Sequence, residues 1–335
     1  MNYDNITHML KVTEIDSKKY SEYENQLSNT TFLQNPSWVS FKEQTSNYIA
    51  KYYLVSNDDS PIGAFSTLVR KVFGIEAIYI PRTNIFFKVE DNKYLGEVLN
   101  YLKKFSLVIF ERDLSLNDDS KVLNSGFKLT DRYIQPLTTF VTDTTIIDPE
   151  MLSMPSSSQR RNVRKALKNM EDLGITFEFV ENLDDTLLNE CYSLISGLGG
   201  SKEYGVREIS YFRNISKVKG SGWFILKDKS GKVLMCNLVI LDKQISTCFD
   251  LVVGKSKEVD ELMLHYAMKY LSFKWCKENG ISKYDHWGIF KNIPSKASFS
   301  EFKMKFGGYE VNYPKLSIYT KFPLSLISPL ILSRI

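Results

Sequence analysis

Residues Gly222 to Leu241 read GWFILKDKSGKVLMCNLVIL. An aromatic and branched run, Gly222 to Lys227, meets the turn-forming Asp228-Lys229-Ser230-Gly231 and then a second apolar run from Lys232 to Leu241. That pattern is a β-hairpin. About 170 residues earlier the same order occurs: Ala50 to Val55 (AKYYLV), the turn Ser56-Asn57-Asp58-Asp59-Ser60-Pro61, then Ile62 to Val69 (IGAFSTLV). Outward from each hairpin the echo continues. A helical segment precedes each one, and a strand candidate follows it, Glu76 to Ile80 in the first half and Ser246 to Val253 in the second. Next come helical stretches, Tyr94 to Lys104 and Glu258 to Asn279, and further strands, Leu107 to Glu111 and Lys283 to Trp287. A duplicated mixed sheet with crossover helices, of α/β (α+β) class, is the simplest architecture that carries this order. One lobe is expected over residues 1–150 and a second over 151–335.

Composition agrees with two lobes. The chain has 335 residues, 43% hydrophobic and 24% charged, enough for two cores. With 21 Phe and 19 Tyr, it suits sheets packed on helices. A net charge of +4 falls short of the excess that by itself points to nucleic acid. The cysteines, Cys191, Cys236, Cys248 and Cys276, lack CxxC spacing and sit in apolar runs, as expected of reduced core residues in a cytoplasmic protein. Met1 to Thr13 has no continuous apolar core and is not read as a signal peptide. The closest approach to a membrane segment is the tail Phe322 to Ile335, whose length and two prolines favour a packed or interfacial segment over a span of roughly 20 residues. Contact with the inner face of a membrane is therefore open.

Between the lobes, Gln135 to Ser158 is rich in Thr, Ser and Pro and reads as a connector. It leads into Gln159 to Lys168 (QRRNVRKALK), a helix that Ser157 or Ser158 can cap. Arg160, Arg161, Arg164, Lys165 and Lys168 make one face of it strongly positive. Such a face is either solvated surface or a phosphate contact, with a nucleotide, an RNA backbone or lipid headgroups. Nothing in it reads base sequence, and no DNA partner is expected.

The ordered motifs resemble the Fem family of peptidoglycan bridge-forming aminoacyltransferases, in the compact form without a helical arm. Phe32-Leu33-Gln34 with Trp38 and Lys42, the Ile134-Gln135-Pro136 entry before RRNVRKALK, Tyr284-Asp285-His286-Trp287-Gly288, and Phe302-Lys303-Met304-Lys305-Phe306-Gly307-Gly308 carry the likeness. The family's Pro-Arg-Gly-Pro turn stands here as Pro81-Arg82-Thr83-Asn84, a departure that puts conventional acceptor recognition in question. The resemblance implies two tandem lobes of the GCN5-type N-acetyltransferase kind. It further implies an acyltransferase whose donor is aminoacyl-tRNA and whose acceptor is the stem peptide of a UDP-linked or lipid-linked muramyl precursor.

Acyl transfer from an ester to an amine requires orientation, a neutral amine and oxyanion stabilisation. The resemblance gives Lys303 a catalytic role, with Phe302 beside the donor sugar or base and Lys305 as a further phosphate contact. It makes Asp113 an acceptor-site carboxylate that can position the incoming amine, and it assigns Lys42, Arg207 and Tyr211 to the uridine diphosphate. No cofactor and no metal are expected. The histidines His8, His265 and His286 are dispersed, and His265 is read as structural. An acyl-CoA-dependent N-acyltransferase acting on a sugar or amino acid remains an alternative. However, Glu258 to Tyr266 (EVDELMLHY) lacks the glycines of a pyrophosphate loop. A non-catalytic RNA- or lipid-binding module is the third reading.

Overall fold

A computed structural model describes residues 10–27, 31–72, 74–148, 156–200, 207–291 and 293–321. The tail from Phe322 to Ile335 and most of the N-terminal stretch lie outside them. Contacts divide the chain into two units, with breaks after Leu137 and before Tyr313.

The first unit contains β1 (Leu10–Ile15), α1 (Ser17–Ser21), α2 (Pro36–Ser46), β2 (Ile49–Asn57), β3 (Ser60–Val72) and β4 (Ile75–Thr83). There follow α3 (Leu95–Leu102), β5 (Leu107–Arg112), α4 (Asp119–Asn124) and β6 (Lys128–Thr130). The second holds β7 (Thr138–Asp143), α5 (Ser157–Leu173), β8 (Thr176–Val180), α6 (Asp185–Gly200), α7 (Ile209–Ile215), β9 (Ser221–Lys227) and β10 (Val233–Asp242). It continues with β11 (Thr247–Lys255), α8 (Glu258–Glu261), α9 (Leu264–Glu278), β12 (Lys283–Gly288), α10 (Pro294–Met304) and β13 (Tyr309–Asn312). The last strand, β14 (Leu316–Thr320), returns to the first unit.

Both hairpins form as the sequence predicts, β2 with β3 and β9 with β10. The first sheet runs β1-β2-β3-β4-β5-β14-β6 and the second β13-β7-β12-β11-β10-β9-β8. Read from opposite ends the two orders superimpose, strand for strand. In each the parallel pair, β4 with β5 and β11 with β12, is joined by a helical crossover, as parallel neighbours require. The sixth strand of each sheet comes from the segment after the other unit's last strand: β7 follows β6, and β14 follows β13. For this reason the boundary falls at Leu137/Thr138 and not after residue 150. The expected connector from Gln135 to Ser158 carries β7, whose partners are β12 and β13. The cap of α5 is Ser156, whose Oγ accepts from Gln159 N at 3.2 Å, not Ser157 or Ser158. The stretch Glu258 to Asn279 is two helices, broken at Met263, whose φ of 59° is left-handed.

Each sheet packs its crossover helix into a separate core. In the second, Phe224, Leu226, Val239 and Cys248 meet Ala267, Phe273 and Cys276 of α9. In the first, Tyr53, Phe65, Ile78 and Val108 meet Val98, Leu99 and Leu102 of α3. All four cysteines are free and buried. Among the described residues, no helix is long and apolar enough to cross a membrane.

A buried glutamine ties the first unit together. Gln34 is 1% exposed. Its Oε1 accepts from Ser66 N at 2.7 Å and Ser66 Oγ at 3.0 Å, while its Nε2 donates to Pro81 O at 2.6 Å. It therefore satisfies backbone groups on both β3 and β4 that water cannot reach. Gln34→Leu keeps the volume and orphans those groups, so chemical denaturation should show a loss of about 2–4 kcal/mol; an unchanged midpoint would mean that the network contributes nothing.

Candidate active site

The site in the second unit begins with a defect in a strand. Pairing of β12 with β7 runs Asp285 to Val141 and then Gly288 to Thr139, so β12 carries one extra residue. At this bulge Trp287 adopts a φ of 60°, and its N–H donates to Asp285 Oδ1 at 2.7 Å. Pairing resumes at Gly288, the last residue of β12, and Lys303 Nζ, near the end of α10, donates to the Gly288 carbonyl at 2.8 Å.

Lys303 is 7% exposed, and its ammonium lies 4.7 Å from the centre of the Phe299 ring. Burial lowers its pKa to about 8; Asp250 and Asp285 oppose the shift, and the charge of Lys269 adds to it. The lysine therefore switches between cation and neutral amine near physiological pH.

Lys303 and Phe302 line one cavity of about 230 Å³, together with Phe299, His265, Lys269 and Asp250. Its polar wall is an ion pair. Lys269 Nζ of α9 donates to Asp250 Oδ2 of β11, each side chain being 4% exposed, and also to the Tyr284 hydroxyl at 3.2 Å. Asp250 Oδ1 is buried without a hydrogen-bond partner. His265, read from the sequence as structural, stands in the cavity wall with its ring 5.1 Å from that of Phe302; burial keeps its pKa below the ordinary value.

Behind the cavity, His286 Nε2 lies 2.9 Å from Thr142 Oγ1, and that hydroxyl donates to Gly307 O at 2.7 Å. With the Thr142 proton engaged there, His286 must donate through Nε2–H, which leaves Nδ1 bare. Burial, reinforced by Lys269 and Lys303, holds this imidazole neutral, its pKa well below the usual value. The chain of bonds pins the Gly307-Gly308 turn after α10. At Gly308, φ is 140° and a Cβ would stand 2.1 Å from Val141 O, so only glycine fits.

The other expected site residues divide between the units. In the first, Asp113 caps the turn after β5, its Oδ1 accepting from Ser115 N at 3.1 Å; burial raises its pKa against that hydrogen bond and the nearby Arg82. Arg82, in the altered Pro81 to Asn84 turn, is 2% exposed. Its guanidinium donates to Pro136 O at 2.7 Å and lies 3.4 Å from the Tyr313 ring centre. Beside it Glu111 accepts from Tyr79 Oη at 2.6 Å and Gln135 N at 2.8 Å. Lys42 is half-buried on α2. In the second unit, Arg207 lies 5.7 Å from the Tyr211 ring centre, at the start of α7. On α5, Val163, Ala166 and Met170 face the core, while Arg161, Arg164, Lys165 and Lys168 share the exposed face and Arg160 is half-buried. Lys305 is exposed.

Sequence reasoning missed Asp250, Lys269 and the structural part of His286. A signal existed for the first two. An acid inside the apolar strand STCFDLVV and a lysine inside the apolar helix LHYAMKYL are two buried charges of opposite sign, on segments expected to pack.

No family model matches the sequence, and no curated protein gives a match. Solved structures do match in fold. FemX superposes with a TM-score of 0.78 at 18% identity, over 96% of this chain and 99% of that one. L-PGS from Bacillus licheniformis gives 0.60 at 15%, over 96% and 97%. A tandem GNAT protein from the clavulanic acid biosynthesis pathway gives 0.55 at 11%, over 93% and 98%. The chain thus has the fold of two tandem GNAT-like domains.

The folded pKa of Lys303, about 8, lies below its ordinary 10.5, so the folded state binds fewer protons between those values. Its charge costs stability at neutral pH, and the cost fades as pH rises through that window. In lysine Cε-labelled protein one resonance should titrate near pH 8, vanish in Lys303→Met and move up in Lys269→Met. A Lys303 midpoint above 10 would contradict a desolvated ammonium.

Proposed function

We propose that this protein is an aminoacyltransferase that moves an amino acid from the 3′ end of a charged tRNA to an amine on the stem peptide of a peptidoglycan precursor, UDP-linked or lipid-linked. The observation that carries this reading is the buried Lys303 ammonium at a small cavity walled by Phe299 and Phe302. The likeness of fold to FemX and L-PGS supports it.

In this reaction the neutral acceptor amine attacks the ester carbonyl carbon and a tetrahedral oxyanion forms. The bond from that carbon to the ribose oxygen then breaks, and a proton from the amine passes to the departing oxygen. Lys303 donates to the oxyanion, where its hydrogen bond is worth most as charge develops. Phe302 packs beside the terminal nucleoside. Asp113, in the first unit, serves as an acceptor-site carboxylate, and Lys42, Arg207 and Tyr211 serve as phosphate-binding residues. The exposed face of α5, with Arg160 and Lys305 as further cations, contacts the tRNA backbone. The reaction takes place in the cytoplasm, with a lipid-linked acceptor reached at the inner membrane face.

An acyl-CoA donor fits less well. The helix after β11, where a pyrophosphate would bind, opens with Glu258, Asp260 and Glu261. Three carboxylates at that end repel the phosphates a helix N-terminus otherwise attracts.

Charged tRNA, acyl-CoA and muramyl-pentapeptide precursors incubated with the protein test the reading by the mass added to the acceptor. An aminoacyl increment from tRNA is expected, and transfer from acyl-CoA alone overturns it. Lys303→Met should lower kcat by about 10²–10³ while the melting temperature stays close to wild type; undiminished turnover would remove the lysine from catalysis.

A further inference from the structure

The apolar residues 322–335 follow Lys321 at a definite place in the first unit. β14 ends level with the start of β5, Thr320 opposite Leu107, and Lys321 N donates to Ser106 O at 3.0 Å. Phe, Leu and Ile make up most of the stretch beyond, which has no carboxylate and a single cation, Arg334. Three lysines gather at this end of the sheet, where α3 hands over to β5. Lys321 Nζ donates to Lys104 O at 2.7 Å. Lys104 Nζ stands 3.8 Å from the Tyr101 ring centre and 5.0 Å from that of Phe105, and Lys103 Nζ lies 5.8 Å from the Tyr319 ring centre. Lys104 and Lys321 are exposed, and Lys103 is half-buried. Among the described residues none of the three pairs with a carboxylate. Glu14 and Glu76, at the same end, have cations of their own: Lys51 at 3.4 Å, and Lys71 opposite in the register of β3 and β4. Two aliphatic side chains stand in water nearby, Ile49 at the start of β2 and Leu123 in the last turn of α4. Gly126, just after that turn, lies against Lys103.

We propose that this end of the first unit, together with residues 322–335, docks the protein on an anionic lipid bilayer. Lysines set beside aromatic rings suit the headgroup layer, where the ammonium meets lipid phosphate and the ring sits at the border with the acyl chains. A few cations alone hold a charged membrane weakly, and so does a short apolar segment alone. Side by side they make the two-part anchor that stable peripheral attachment takes. An RNA backbone would meet the same cations but would leave Ile49, Leu123 and the apolar stretch in water. Asp113 follows the opposite end of β5, six residues or about 20 Å away, so docking here does not bury it. Attachment of this kind requires nothing of the transfer chemistry, and it brings the protein to the surface where a lipid-linked acceptor lies.

Cosedimentation of the full chain with vesicles of phosphatidylcholine, alone or with roughly one third phosphatidylglycerol, tests the docking surface. Each cation near an anionic surface strengthens binding roughly fivefold. The mixed vesicles should therefore bind at least tenfold more tightly at about 0.1 M salt, and added salt should narrow the gap. Lys103→Ala, Lys104→Ala and Lys321→Ala combined should abolish most of that preference with the circular dichroism unchanged, and the same three changed to Arg should keep it. If the triple variant fails to fold, Lys103→Gln with Lys104→Gln replaces it and leaves Lys321 on the Lys104 carbonyl. Leu326→Glu with Leu330→Glu should weaken binding to both kinds of vesicle. Binding that withstands either the lysine or the leucine substitutions overturns the two-part anchor. So does a loss of vesicle binding on changing Arg161, Arg164 and Lys165 of α5 to Ala, which would move the surface to the second unit. If the lysine variant loses affinity for tRNA and keeps that for vesicles, this end is an RNA surface and the proposal falls. Absence of binding to either vesicle also overturns it, while transfer to a UDP-linked acceptor stands untouched.

Discussion

Burying charge beside an acyl-sized space is the constraint around which the second unit is organised. Asp250 and Lys269 sit in the packed interface between β11 and α9, where an unpaired charge would be severely unfavourable, and they neutralise each other. Lys303 lacks so close a counter-ion. It hydrogen-bonds a carbonyl and lies against an aromatic ring, and the remaining desolvation appears as a lowered pKa. A bulged β12, the His286–Thr142–Gly307 chain and the glycine turn are the scaffolding that holds this lysine in place.

The sheet that carries this scaffolding has a counterpart of the same strand order in the first unit. Each has one parallel pair joined by a helical crossover, and each takes its sixth strand from the far side of the chain. The copies have diverged in what they bury at equivalent strand ends. The first unit buries Arg82 and Glu111 on the strands of its parallel pair and Asp113 just after them, whereas the second buries Asp250 and Asp285 on those strands and Lys303 on α10. Acids with raised pKa values in one and a lysine with a lowered pKa in the other form two chemically distinct sites.

Much of this is legible in the sequence. The turn Asp228-Lys229-Ser230-Gly231 between two apolar runs, and its echo at Ser56 to Pro61, dictated both hairpins by local chemistry alone. The motif around Phe302 and Lys303 singled out residues that do line a cavity together. What escaped was non-local. The strand status of Thr138 to Asp143 depends on β12 and β13, which lie far along the chain and leave no mark on a Thr-rich segment resembling a loop. The return of β14 to the first unit is hidden for the same reason. Asp250 and Lys269 lie 19 residues apart on different elements, and only packing shows that they cancel. The basic run on α5 could be located but not interpreted, since surface and binding face look alike until the buried side is known.

The most direct measurement is a crystal structure of the protein with an amide-linked alanyl adenosine bound. The alanyl carbonyl oxygen is expected within hydrogen-bond distance of Lys303 Nζ, with the nucleoside against Phe302 in the cavity of the second unit. A ligand bound elsewhere, with Lys303 still on Gly288 O and the cavity unfilled, would contradict the assignment of this cavity to the acyl donor.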